Sequence, residues 1–82
     1  MAIVEGFQRS NRKTFRIQPT SVVCHYSVFS PEPVRQILQL DTLGSSIREV
    51  PGKVSQTIQM DREQAKALWI LLGREFHFGQ VP

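Results

Sequence analysis

The sequence predicts an α+β fold, a four-stranded antiparallel β-meander followed by one C-terminal α-helix. Three observations carry this. Runs of alternating apolar and polar residues recur between turn signals over residues 15–60, an aspartate cap at Asp61 opens a helical period, and 82 residues leave room for one domain only.

The elements follow in order. Residues 1–12 show no period and turn polar from Gln8, so they read as an arm with little structure of its own. Phe15-Arg16-Ile17 alternates and Pro19 ends it, giving a short first strand. Residues 21–29 (SVVCHYSVF) are dense in β-branched and aromatic side chains, which favours a second strand. Alternation puts Val22, Cys24, Tyr26 and Val28 on one face and Val23, His25, Ser27 and Phe29 on the other. Cys24 is expected in the core, because it shares the apolar face. Ser30-Pro31-Glu32-Pro33 reads as the turn.

Residues 34–42 (VRQILQLDT) form the third strand, with Leu38 and Leu40 opposed to Arg35, Gln39 and Asp41. Residues 43–52 carry Gly44 and Gly52 and read as a loop. Residues 53–60 (KVSQTIQM) alternate again, with Ser55, Thr57 and Gln59 along one side. Asp61 then caps a helix running to about Leu72, or to Phe76 if Gly73 is tolerated, and Gln64 completes a capping box. Ala65, Leu68, Trp69, Leu72 and Phe76 fall on one helical stripe. Ile70 lies off it, among Glu63, Lys66 and Arg74. The chain thus divides into a basic arm (1–13), a single ββββα domain (14–78) and a tail (79–82).

Size and composition limit how such a domain is stabilised. A chain this short buries only about 60% of its unfolded surface. One cysteine excludes an internal disulfide, and Cys24, His25 and His77 fall short of the four ligands of a closed zinc site. No metal and no cofactor is expected. Self-association remains, and a homodimer is expected, with Ile70, Phe76 and Phe78 as dimer or partner contacts. The alternative for Ile70 is an isolated exposed side chain, which is ordinary. No apolar run resembles a signal peptide or a membrane span, so the chain reads as soluble and cytoplasmic.

Charge is uneven. Arg9, Arg12, Lys13 and Arg16 against Glu5 place the whole net charge of +3 in the first sixteen residues, and six bases balance six acids in the rest. A basic arm ahead of a neutral body suits phosphate contact, or else it merely solubilises a terminus. If the helix covers one sheet face, the other presents Ser55, Thr57, Gln59, Gln39, Arg35, His25, Ser27 and Phe29. A polar face in water is ordinary for an antiparallel sheet. It also suits hydrogen bonding and stacking against unpaired bases.

Nothing in the chain points to an enzyme. Cys24 and His25 are neighbours in a strand and aim at opposite faces, so they cannot act as nucleophile and base. No paired carboxylates and no phosphate-cradling glycine loop appear. The expected function is single-stranded nucleic-acid binding, DNA or RNA, in the manner of a transcription or replication accessory protein. Arg9, Arg12, Lys13, Arg16, Arg35 and Lys53 would contact phosphates, while Tyr26 and Phe29 would stack. The alternative is a small protein-interaction module or inhibitor that docks on a larger partner.

The stretch Pro51-Gly52-Lys53-Val54-Ser55-Gln56-Thr57-Ile58-Gln59-Met60-Asp61-Arg62-Glu63-Gln64, preceded by Phe15-Arg16-Ile17 and two hairpin strands, resembles the positive-cofactor-four family of transcriptional coactivators. The resemblance covers residues 15–72 and is most specific over 51–72. It lies in a basic Pro-Gly turn, an alternating last strand and a capped helix. It implies a dimer that binds single-stranded DNA, with Lys53 at the basic turn and Arg16 near the first strand.

Overall fold

A computed structural model describes residues 1–44 and 53–79. The element order is β1 (Ala2–Ile3), β2 (Cys24–Glu32), β3 (Arg35–Leu43), β4 (Val54–Asp61) and α1 (Arg62–Phe76). The α+β class therefore holds, with four strands and one helix.

The sheet is mixed, which corrects the expected all-antiparallel meander. Its spatial order is β1-β4-β3-β2, and β1 runs parallel to β4. Phe15-Arg16-Ile17 forms no strand, and Phe15 and Ile17 stand in solvent at 74% and 92% exposure. The first strand comes instead from Ala2-Ile3, inside the segment read as an unstructured arm. Ala2 pairs with Ile58 and Ile3 with Gln59. A strand exists only where a partner edge offers donors and acceptors, and β4 offers its free edge to Ala2 and Ile3.

The two hairpins bring together the residues that alternation assigns to each face, with a register shift in β3–β4 between Thr42 and Leu43. β2 pairs antiparallel with β3 (Tyr26 opposite Leu40, Val28 opposite Leu38), and β3 with β4 (Leu38 opposite Met60, Leu40 opposite Ile58). The first turn is shorter than expected. Pro31 and Glu32 belong to β2, a bulge falls between Phe29 and Glu32, and only Pro33 and Val34 make the turn. Proline is tolerated at Pro31 because β2 is an edge strand, with no ladder bond required on its outer side. The loop expected over 43–52 begins one residue later, and residues 45–52 lie outside the described residues. Its base is closed by Gly44 N–H donating to the Lys53 carbonyl at 2.7 Å.

The helix opens where its cap predicts. Asp61 has extended backbone and its carboxylate accepts from the Gln64 N–H at 2.9 Å. Glu63 in the first turn and Arg74 in the last complement the helix dipole. Gly73 does not end the helix, which runs to Phe76. His77 then takes the left-handed conformation (φ 55°), and the N–H groups of His77 and Phe78 both donate to the Gly73 carbonyl.

The interior is small. Among the described residues Ile37 and Met60 are the buried apolar side chains, each 3% exposed. Ala65, Leu68 and Leu72 are half-buried, whereas Trp69 and Phe76 on the same stripe are 53% and 63% exposed. Every residue of β2 is exposed, Cys24 included, which corrects its expected place in the core. Alternation assigns Cys24 to the face of Leu40 and Ile58, but among the described residues nothing covers that face at Cys24. The accessible surface is 7435 Å² and the radius of gyration 15.2 Å. A compact monomer of this size would expose about 5,000 Å² and have a radius of about 12 Å. The chain carries far more open surface than a self-sufficient domain.

Candidate nucleic-acid interface

The polar sheet face is built by register. Thr57 lies opposite Asp41, Gln59 opposite Gln39, Ser27 opposite Gln39 and His25 opposite Asp41. The side chains form a connected ladder. Gln59 Nε2 donates to Gln39 Oε1 at 2.8 Å, Gln39 Nε2 donates to both Asp41 oxygens at 3.0 and 3.3 Å, and Thr57 Oγ1 donates to Asp41 Oδ1 at 2.6 Å. Thr57 and Gln59 are half-buried and Ser55 is exposed.

This ladder changes what the face can do. Two hydrogen bonds from neutral donors, the Thr57 hydroxyl first and the Gln39 amide second, hold the Asp41 carboxyl below its usual value. The charge of His25 on the neighbouring strand adds a smaller lowering. The face thus has a fixed anion at its middle, and several of its donors are already engaged with one another. Its chemistry repels phosphate and makes the ladder a cross-strand fastening. A depressed carboxyl stabilises the fold fully at neutral pH and loses that contribution as pH falls through its folded-state value. Asp41→Asn is therefore expected to be less stable than wild type at about pH 7 and to lose less stability on acidification to about pH 2. Urea midpoints measured across that range test it, and parallel curves for the two proteins would refute the assignment.

The expected phosphate contacts fall into three places. Arg12, Lys13 and Arg16 are exposed on the segment between β1 and β2, and among the described residues they make no ion pair. The Arg12 guanidinium lies 5.8 Å from the Phe15 ring centroid, a cation–π arrangement. Arg9 is committed elsewhere, in an exposed ion pair to Glu75 at 3.2 Å. Phe7, Gln8 and Arg9 line a shallow groove with Leu71, Arg74 and Glu75, so this part of the arm lies along the helix. Arg35 sits at the turn end of β3, 3.9 Å from Glu32. Lys53 precedes β4 at the other end of the sheet, roughly 25 Å away by strand rise. The two do not share a surface.

The aromatic residues separate as well. Tyr26 is 76% exposed on the face of Leu40 and Ile58, and Phe29 is 40% exposed on the opposite face with Ile37. One strand of nucleic acid cannot stack on both at once. Phe15, expected in a first strand, is instead the aromatic side chain that the structure brings to a cation. The signal was present in the spacing Arg12-Lys13-Thr14-Phe15-Arg16.

Ile70 is half-buried, whereas Phe76 and Phe78 are exposed and stack on each other with centroids 5.7 Å apart. Among the described residues no group of three or more His, Cys, Asp or Glu side chains is placed to hold a metal ion, and no helix is long and apolar enough to cross a membrane. No family model matches the chain, and neither a curated protein nor a solved structure matches it.

Proposed function

We propose that the chain is a homodimeric module that binds single-stranded nucleic acid through its basic arm rather than through its polar sheet face. The observation that carries this reading is the exposed run Arg12, Lys13, Phe15 and Arg16, in which three cations flank one aromatic residue in sequence and the Arg12 guanidinium lies over its ring. Single strands are held by that combination, phosphate neutralisation plus a stacking surface that tolerates any base. Asp41 argues against contact across the Gln39–Thr57 ladder. The dimer is supported by surface. The chain exposes roughly 2,400 Å² more than a compact monomer of its size. One partner of an obligate homodimer buries about 1,000–2,500 Å².

The test is a fluorescence-anisotropy titration with a labelled single-stranded oligonucleotide at several salt concentrations. Each phosphate neutralised contributes about −0.7 to the slope of log affinity against log salt for single strands. Replacing Arg12, Lys13 and Arg16 by glutamine is expected to weaken binding steeply at low salt and to reduce that slope by about 2 per chain. Absence of binding at low salt overturns the reading.

A second reading, docking on a larger protein, draws support from the exposed pair Phe76 and Phe78 and from exposed Trp69. It predicts that the triple glutamine variant behaves as wild type in every interaction the protein makes.

A further inference from the structure

The sheet ends on one side at β2, and two hydrogen bonds fix which of its residues face outward. Leu43 N–H donates to the Val23 carbonyl at 3.0 Å, so Val23 and Leu43 form a hydrogen-bonded pair. Such pairs alternate along an antiparallel ladder. His25 with Asp41, Ser27 with Gln39 and Phe29 with Ile37 are then the other bonded pairs of β2 and β3. On the far side of the sheet Gln59 accepts from the Val4 N–H at 2.8 Å, as the same alternation carried through β3 and β4 requires. The main-chain donors and acceptors of Cys24, Tyr26 and Val28 therefore point away from the sheet, with no strand beside them among the described residues.

This edge has little protection over its length. Natural edges are blunted by charges, prolines or bulges. The run Cys24–Phe29 contains no Lys, Arg, Asp, Glu or Pro, and the bulge and Pro31 come only at its end. All its residues are exposed, with Tyr26 at 76% and Val28 at 61%. A regular edge of this kind, without strong charges, is a template for another strand.

We infer that β2 pairs antiparallel with β2 of a second copy, centred on Tyr26, and joins two sheets into one of eight strands. The inference rests on the homodimer reading and specifies its surface. A two-fold interface must be self-complementary, and about Tyr26 this strand meets itself without like-charge opposition, because it carries no Lys, Arg, Asp or Glu over Cys24–Phe29 and its one imidazole, His25, falls opposite Ser27. Three symmetric registers bring two or more outward pairs together. Only the one centred on Tyr26 engages all of Cys24, Tyr26 and Val28, with about six backbone hydrogen bonds against about four for either neighbour. In that register Cys24 of each copy lies opposite Val28 of the other. The exposed side chains of Tyr26 and Val28 continue the apolar face of Leu38, Leu40, Ile58 and Met60 across the junction. Extension stops at Pro31, which has no N–H to offer.

Cysteine crosslinking reads the register. Directly opposed residues of a bonded pair have Cα atoms about 5.5 Å apart, within disulfide reach, whereas residues four apart along a strand are about 13 Å away. Val28→Cys with Cys24 present is expected to form an interchain disulfide under mild oxidation. Wild type and Cys24→Ser/Val28→Cys are expected to stay uncrosslinked. Cys24→Ser/Tyr26→Cys places a single thiol at the symmetry centre and is expected to crosslink as well, which covers the case in which Val28→Cys fails to fold. Sedimentation equilibrium on wild type accompanies these. A dimer by sedimentation with neither variant crosslinked overturns the β2 edge while the homodimer stands on another surface. A monomer at all concentrations overturns both.

Discussion

Replacing Met60 by alanine is expected to cost about 2–5 kcal/mol, the range for removing a buried methionine side chain. The size of the effect follows from how little interior the chain has. Met60 and Ile37 are the buried apolar side chains among the described residues, and Met60 sits directly before the helix cap. Most of the hydrophobic stabilisation of the β4–α1 corner therefore passes through one residue. Total stabilities of small domains lie near the low end of about 5–15 kcal/mol, so the variant is expected to be substantially unfolded at 37 °C. Urea denaturation at fixed protein concentration measures it, as a midpoint lowered by about 1 M or more. Gln56→Ala on the same strand is the control, since Gln56 is exposed and its loss is expected to stay within about 0.5 kcal/mol. Equal midpoints for Met60→Ala and the control would mean that Met60 is not the interior of this fold.

Stability is expected to depend on concentration. If association covers the open surface of β2 and the helix stripe, folding and assembly are one equilibrium, and each hundredfold dilution lowers apparent stability by about 2.7 kcal/mol. The measurement is a set of thermal melts by circular dichroism over the widest practical concentration range. A rising midpoint with concentration is the expected result. A midpoint independent of concentration would require the exposed Tyr26, Val28, Trp69 and Phe76 to be tolerated by a monomer with 7435 Å² of accessible surface.

The parts of the fold that were legible in the sequence are those encoded locally. β2, β3 and β4 were found within a few residues because period-2 alternation and the hairpin register depend on neighbouring segments. The helix start was found because Asp61 satisfies a backbone donor three residues on. Its end was harder. Gly73 costs about 1 kcal/mol in a helix interior, yet at this position it is buried and its carbonyl anchors the C-cap. β1 was missed because two residues carry no period, and their strand character comes wholly from β4. Phe15-Arg16-Ile17 had the right pattern without a neighbour to pair with. At the candidate site, the sequence indicated which residues share the polar face but not that Asp41 would gather their donors. Alternation also named the apolar face without saying what covers it, hence the exposed Cys24.

The parallel pairing of β1 has a kinetic meaning. Ala2 meets Ile58 across 56 positions of chain, whereas β2, β3, β4 and α1 each touch the element that precedes or follows them in sequence. Contacts of such separation form late, and two residue pairs give them little hold. Within each copy the hairpins and helix thus form without waiting for β1. The strand synthesised first docks last and detaches without the rest coming apart.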